Sequence, residues 1–180
     1  MPFTLQAWAD GACRRNGSID AVGGAGVSFP RYPQGNRSEV LPHPPRATNQ
    51  RAELYALILA LEAVIEKQDA VCANANHPPF FIVTIHADSR YAIHRDLPVV
   101  NADLVKEAHN LRGQIEDSYK GGQVEFKWIP REENVKADEY ANDACDRAEE
   151  ESRRRPDNQV YALGIYVRDT SSSSSSSDDY

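Results

Sequence analysis

Apolar and polar residues alternate loosely over 3–9 (Phe-Thr-Leu-Gln-Ala-Trp-Ala) and stop at Asp10-Gly11, the pattern of a strand delivering a carboxylate to its C-terminal edge. A second strand is predicted over 21–29. Its glycines, in Ala-Val-Gly-Gly-Ala-Gly-Val-Ser-Phe, lack the Lys-Ser/Thr of a phosphate loop and the spacing of a dinucleotide fingerprint, so they indicate a bulge or a close backbone approach. The stretch 30–47 holds five prolines and Gly35 and leaves room only for a short edge strand over 37–41. From Thr48, a plausible N-cap, apolar residues recur at Leu54, Leu57, Ile58, Leu61, Val64 and Ile65, the period of a long amphipathic helix with Glu53 in its first two turns. A loop over 70–79 ends at Pro78-Pro79. The almost unbroken apolar run 80–85 that follows predicts a strand covered on both faces, ending at His86-Ala87-Asp88-Ser89.

A further helix is predicted over 102–119 (Leu104, Ala108, Leu111, Ile115). Gly121-Gly122 then turns into a strand over 124–129, closed by Pro130, and a helix from Asn134 to Arg154 carries Asp138. The order β-β-β-α-β-α-β-α gives an α/β domain whose five strands form a mixed sheet flanked by helices. That domain is expected to occupy 1–155. Residues 156–169 form an extension in which 160–167 reads as one more strand or a packed segment. The tail 170–180 is rich in serine, cannot bury apolar surface, and is expected to be disordered.

Composition changes this picture in three respects. A chain of 180 residues with 41% hydrophobic content supports one core and leaves little room for two. Cys13, Cys72 and Cys145 are odd in number and widely spaced, which points to reduced thiols rather than to a zinc cage or redox pair. No stretch approaches the roughly 18 apolar residues of a membrane span, and the first residues lack the basic start of a signal peptide. A monomer in an intracellular compartment, cytoplasmic or nuclear and without a membrane partner, is therefore expected.

The net charge of −7 argues against a nucleic-acid binder working through bulk positive charge. The carboxylates themselves reverse that conclusion. Asp10 and Asp88 each end an apolar strand, and side chains at adjacent strand ends lie about 5 Å apart, where like charges repel unless a cation sits between them. Magnesium takes hard oxygen ligands, and in-line hydrolysis of a phosphodiester gains most from two cations about 4 Å apart.

Four acidic contexts occur in order: Trp-Ala-Asp10-Gly-Ala-Cys, Thr-Asn-Gln-Arg-Ala-Glu53-Leu, His-Ala-Asp88-Ser-Arg-Tyr and Arg-Glu-Glu-Asn-Val-Lys-Ala-Asp138. With these motifs, residues 3–150 resemble the type 1 ribonuclease H family. The resemblance implies a ribonuclease H-like sheet and two Mg²⁺ or Mn²⁺ ions held by Asp10, Glu53, Asp88 and Asp138. It implies cleavage of the RNA strand of an RNA·DNA hybrid, leaving 3′-hydroxyl and 5′-phosphate ends. Asp10 would bridge both metals, Glu53 and Asp88 would complete one, and Asp138 would help to hold the other.

Glu53 would also meet the ribose 2′-hydroxyl. Asn16, Asn49 and Gln50 resemble the family's groove for the RNA strand, with Cys13 along the path of the hybrid. Asn49 and Gln50 also read as dressing of a first helical turn, and Cys13 as a small buried residue. Arg46, Thr48 and Asn101 resemble the family's pocket for a DNA-strand phosphate, and Asn101 also reads as a helix N-cap.

The pattern departs from some relatives in the loop 128–134, which holds no histidine, so Arg131 is its nearest functional candidate or a solvated arginine. His86, two residues from Asp88, is a candidate support for that carboxylate. No basic, Trp-containing protrusion follows Asp88, and Arg153-Arg154-Arg155 after Glu149-Glu150-Glu151 reads as a solvated ion-pair face. Two other functions fit the same residues: a nuclease acting on double-stranded RNA, and a catalytically silent nucleic-acid-binding module.

Overall fold

The computed structural model describes residues 1–93, 100–118 and 121–154. The strands are β1 (Phe3–Arg14), β2 (Val22–Ser28), β3 (Arg37–Val40), β4 (Phe81–Ala87) and β5 (Gly122–Trp128). The helices are α1 (Asn49–Ala73), the single turn α2 (Arg90–Ile93), α3 (Ala102–Glu116) and α4 (Val135–Arg154). They form a five-stranded sheet in the order β3-β2-β1-β4-β5. β1, β2 and β3 pair antiparallel, whereas β4 runs parallel to both β1 and β5, so the mixed sheet predicted from the pattern is present. The extension 156–169, its candidate strand and the serine-rich tail lie outside the described residues. No described helix is long and apolar enough to cross a membrane.

β1 is longer than its alternation suggested. Parallel pairing with β4 ends at Trp8↔His86, but the backbone from Trp8 to Arg14 pairs with β2, through Asp10↔Gly26 and on to Arg14↔Val22. Asp10 therefore sits inside a strand, at the step where one neighbour ends and the other continues, rather than at the strand's C-terminal edge. β4 likewise runs past the apolar run, because His86 and Ala87 keep their places in the ladder against Lys127 and Trp128.

Two faces of the sheet are covered differently. On one, Leu5, Ala7, Ala9, Val27, Val83 and Ile85 pack against Leu54, Leu57, Ile58, Leu61 and Val64 of α1, backed by Ile115 of α3. α1 is buried between sheet and α3, so Ala56, Leu59, Ala60 and Ala63 are buried together with the predicted stripe. It also continues to Ala73, into the segment expected to be loop. On the other face α4 covers β1, β2 and β3. Beyond α4, Ile82 and Thr84 are only half-buried, so β4 is not covered on both faces as its sequence suggested.

The glycines of β2 mark a close helix approach. Cβ atoms added to Gly24 and Gly26 would lie 2.4 Å from the Ala141 carbonyl oxygen and 2.1 Å from that of Ala137. The facing surface of α4 is correspondingly small: Ala137, Ala141, Ala144, Cys145 and Ala148 are buried. Small on small brings the α4 backbone onto the strand and Asp138 alongside Asp10. α3 ends at Glu116, earlier than its pattern suggested, with the Asp117 amide closing on the Gly113 carbonyl at 2.8 Å.

Candidate active site

Each acid reaches the site by a different route. Asp10 is fixed by the β1–β2 ladder and is 5% exposed. Glu53 comes from the second turn of α1, whose start is set by Thr48: its hydroxyl accepts the Arg51 amide at 3.2 Å. Gly11 allows that helix to approach, since a Cβ there would lie 2.1 Å from the Glu53 nitrogen. Asp88 follows the last residue of β4, and Asp138 lies in the first turn of α4.

Carboxylate oxygens of Asp10, Glu53 and Asp88 all lie within 4.8 Å of one another. Asp138 lines the same cavity, and its charge bears on Asp10. Asp138 is held in turn by Arg131, whose Nη2 donates to Oδ1 at 2.8 Å, and by Asn142, whose Nδ2 donates to Oδ2 at 3.1 Å. Together with Gly11, Ala12, Cys13, Arg14 and Asn49, these residues line a cavity of about 230 Å³.

Burial and mutual repulsion raise the proton affinity of Asp10 and Glu53. Burial, then the charges of Glu53, Asp88 and Asp138, push Asp10 up to about 9, and burial followed by the Asp88 charge pushes Glu53 up to about 8. Glu53 Oε2 is buried with no hydrogen-bond partner. An unpartnered carboxylate oxygen facing two other carboxylates is a costly arrangement for the protein alone, and a hard divalent cation satisfies it. The donor set fits Mg²⁺ or Mn²⁺.

A stability prediction follows from these shifts. Both folded-state pKa values lie above the unfolded range near 4, so the stability tied to the protonated acids is fully present below about pH 4 and is lost as pH rises through about 8 to 9. A divalent cation binds the ionised form and restores it. Thermal melts should show a larger Mg²⁺-induced rise in Tm near pH 9 than near pH 5; an equal rise at both would mean that the cation binds elsewhere.

Three supporting residues were not singled out from the sequence. Asn134, 1% exposed, uses Nδ2 to donate to the Ala9 carbonyl at 3.0 Å and to Asp88 Oδ1 at 3.2 Å, joining β1, β4 and the start of α4. Trp128 donates its indole N–H to the Asp88 carbonyl at 3.0 Å. Asn142 lies one helical turn beyond Asp138, a spacing that was legible. The other two arise from contacts between distant segments and left no local signal.

The remaining candidates divide. Asn49 and Cys13 line the cavity, and Asn16 supports Asn49 by accepting its amide at 3.3 Å. Cys13 is half-buried, and all three cysteines are free thiols. Gln50 is exposed beside Asn49. Arg46 donates to the Gly17 carbonyl at 3.3 Å, while Thr48 is occupied as the cap of α1, and no hydrogen bond joins Arg46, Thr48 and Asn101 to one another. Asn101 is at the cap position of α3 but its side chain makes no cap bond: its backbone is left-handed, φ 64° and ψ 32°.

His86 does not support Asp88. Its ring stacks on Trp8 with centroids 4.5 Å apart, both nitrogens lack partners, and burial lowers its pKa. Arg153 and Arg154 pair with Glu149 and Glu150 on an exposed face, as expected.

The family model of ribonuclease H matches residues 4–153, taking in all four acids. The chain belongs to the ribonuclease H family. Among solved structures, the RNase H1 isolated from compost by metagenomics, LC11-RNase H1, is 26% identical over 81% of this chain and 97% of its own, with a TM-score of 0.58. The same enzyme in complex with an RNA/DNA hybrid aligns at 23% identity over 80% of this chain and 98% of that one, TM-score 0.60. The N-terminal RNase H domain of Rv2228c from Mycobacterium tuberculosis is 23% identical over 79% of this chain and 99% of its own, TM-score 0.54. A comparison with curated protein sequences finds no match. These ribonuclease H structures carry the same fold, with a five-stranded mixed sheet and flanking helices.

Proposed function

We propose that this ribonuclease H-family chain is an endonuclease that hydrolyses the RNA strand of RNA·DNA hybrids by two-metal-ion catalysis. The observation that carries the reading is the set of Asp10, Glu53 and Asp88 within 4.8 Å of one another, with one Glu53 oxygen buried and unpartnered. The relative crystallised with an RNA/DNA hybrid supports the choice of substrate.

Asp10, Glu53 and Asp88 would hold one Mg²⁺ or Mn²⁺, and Asp138 with Asp10 the other. Bound there, the two cations supply Lewis acidity to the attacking water and to the leaving oxygen. The protein's own groups do the positioning. Asn134 and Trp128 fix Asp88 by its side chain and its carbonyl, and Asn142 orients Asp138. Arg131, exposed at the mouth of the cavity and paired with Asp138, offsets part of the negative charge that would otherwise repel a phosphate. Asn49 and Cys13, with Asn16 and Gln50 beside them, form the wall for the RNA strand, and Glu53 meets a ribose 2′-hydroxyl. That hydroxyl is what separates RNA from DNA at one position. Arg46, Thr48 and Asn101 take a phosphate of the DNA strand.

The test uses labelled RNA·DNA, RNA·RNA and DNA·DNA duplexes with and without Mg²⁺. Cleavage confined to the hybrid and to the Mg²⁺ samples is expected; equal cutting of RNA·RNA would favour the double-stranded RNA reading, and no cutting the silent-module reading. A single 2′-deoxy substitution should block the cut at the position whose hydroxyl meets Glu53 while neighbouring ribonucleotide steps are still cut. The products should carry 3′-hydroxyl and 5′-phosphate ends because water is the nucleophile. A 2′,3′-cyclic phosphate would show the ribose attacking its own phosphate and would overturn the mechanism.

A further inference from the structure

Arg51 lies two residues before Glu53 in the first turn of α1, yet its charge is not offered to solvent. Its side chain is 12% exposed. Nη1 and Nη2 donate to the two oxygens of Asp103, at 3.0 and 2.6 Å, a bidentate pair. The same Nη1 donates to Asn101 Oδ1 at 3.3 Å, and Nε is buried without a partner. As a stabilising device this is modest, because the Asp103 side chain is 56% exposed and an ion pair open to solvent contributes little. Its product is instead the placement of Asn101.

The Asn101 amide is held at both ends. Oδ1 accepts from Arg51, and Nδ2 donates to the Tyr91 hydroxyl at 3.1 Å, which donates onward to the Val100 carbonyl at 3.3 Å. α1, α2 and the start of α3 thus converge on one side chain whose backbone sits in the left-handed region, a conformation that stores strain and persists where its surroundings fix it. Two hydrogens sit on that amide nitrogen, and Tyr91 uses one. The other has no partner among the described residues and is the one assigned to a ligand.

We propose that Arg51 and Tyr91 are positioning residues for Asn101, and that Asp103 cancels the Arg51 charge so that Arg51 orients the phosphate contact without making one. The inference rests on the reading of Asn101 as a contact to a DNA-strand phosphate. It ties that contact to the acidic cluster through one helix, since Arg51 lies two residues before Glu53 on α1. Asp103 stays ionised through neutral pH, its carboxyl held below the usual range by the hydrogen bond from Arg51.

The experiment measures KM, kcat and the salt dependence of hybrid binding for Arg51→Met, Tyr91→Phe and Asp103→Asn, with thermal melts to establish that each is folded. Arg51→Met should raise KM about tenfold with kcat changed less than about twofold; combined with Asp103→Asn, which removes the pair without changing the net charge, it should keep the parent's log–log salt slope because no phosphate charge contact is lost. Tyr91→Phe, which removes one hydroxyl, should raise KM about threefold with the slope again unchanged. Asp103→Asn releases a full positive charge beside the phosphate, and the slope should steepen by about one. A slope in the double variant Arg51→Met, Asp103→Asn shallower by about 0.9 would make Arg51 a direct phosphate ligand and overturn the proposal. So would an unchanged KM in both Arg51→Met and Tyr91→Phe. The double variant Arg46→Ala, Asn101→Ala separates the two levels: if it leaves KM and slope unaltered, the phosphate-pocket reading fails; if it weakens binding while Arg51→Met and Tyr91→Phe do not, only the positioning role fails.

Discussion

Asp10→Asn is expected to lower hybrid hydrolysis at least about a thousandfold while leaving the protein folded. The substitution replaces the most deeply buried acid of the cluster: Glu53 and Asp88 lie within 4.8 Å of it, and Asp138 lines the same cavity. Loss of two-metal chemistry removes several kcal/mol of transition-state stabilisation, at roughly 1.4 kcal/mol per tenfold in rate. Folding should not suffer. Asp10 is buried with its pKa pushed up to about 9, so its ionised form opposes the metal-free fold at neutral and alkaline pH, and a neutral amide relieves that repulsion. Single-turnover cleavage of a labelled hybrid in Mg²⁺, set beside thermal melts without metal, tests both halves. Activity within tenfold of the parent would remove Asp10 from the chemistry, and a lower Tm near pH 8 would contradict the account of its repulsion.

Gly26→Ala should be strongly destabilising for a change of a single methyl group. The new Cβ would lie 2.1 Å from the Ala137 carbonyl oxygen and 2.4 Å from the Ala141 nitrogen. Both are backbone atoms of α4, so no rotamer change relieves the clash and the helix must lift. Overpacking of this kind costs about 3 kcal/mol, the upper part of its usual range. Because α4 carries Asp138, the folded fraction should also cut more slowly. Gly113→Ala is the control: in α3 nothing lies within 4 Å of the added methyl, and replacing a helical glycine should stabilise by about 0.5 to 1 kcal/mol. Urea unfolding of the two variants should move in opposite directions; equal midpoints would refute the close contact of α4 with β2.

Much of the site was legible because its acids lie beside strong local patterns. Asp88 follows an apolar strand, Glu53 lies behind an N-cap that forms as expected, and Asp138 opens a helix; each position depends on a few neighbouring residues. The details that failed depend on partners far along the chain. The alternation that ended at Ala9 could not report that β2 would carry the β1 ladder on to Arg14. Nor could an apolar run over 80–85 report that α4 covers β1 to β3 and leaves the outer face of β4 half open.

Sequence by itself determined the order of the main strands and helices, the mixed sheet, and the four elements that bring the acids together, though not how far β1 runs, since propensity, periodicity and capping act over one or two turns of chain. The glycines of β2 also announced a close approach, though not what would approach. Tertiary structure decided that α4 is the element that closes on those glycines, that Asn134 bridges Ala9 and Asp88 across the sheet, and that His86 stacks on Trp8 instead of serving Asp88. It also decided that Arg51, Tyr91 and Asp103 gather around Asn101. These contacts join residues up to 125 positions apart. Which side chains meet at such separations is set by how helices seat on a twisted sheet, a property of the packed whole that no local window of sequence contains.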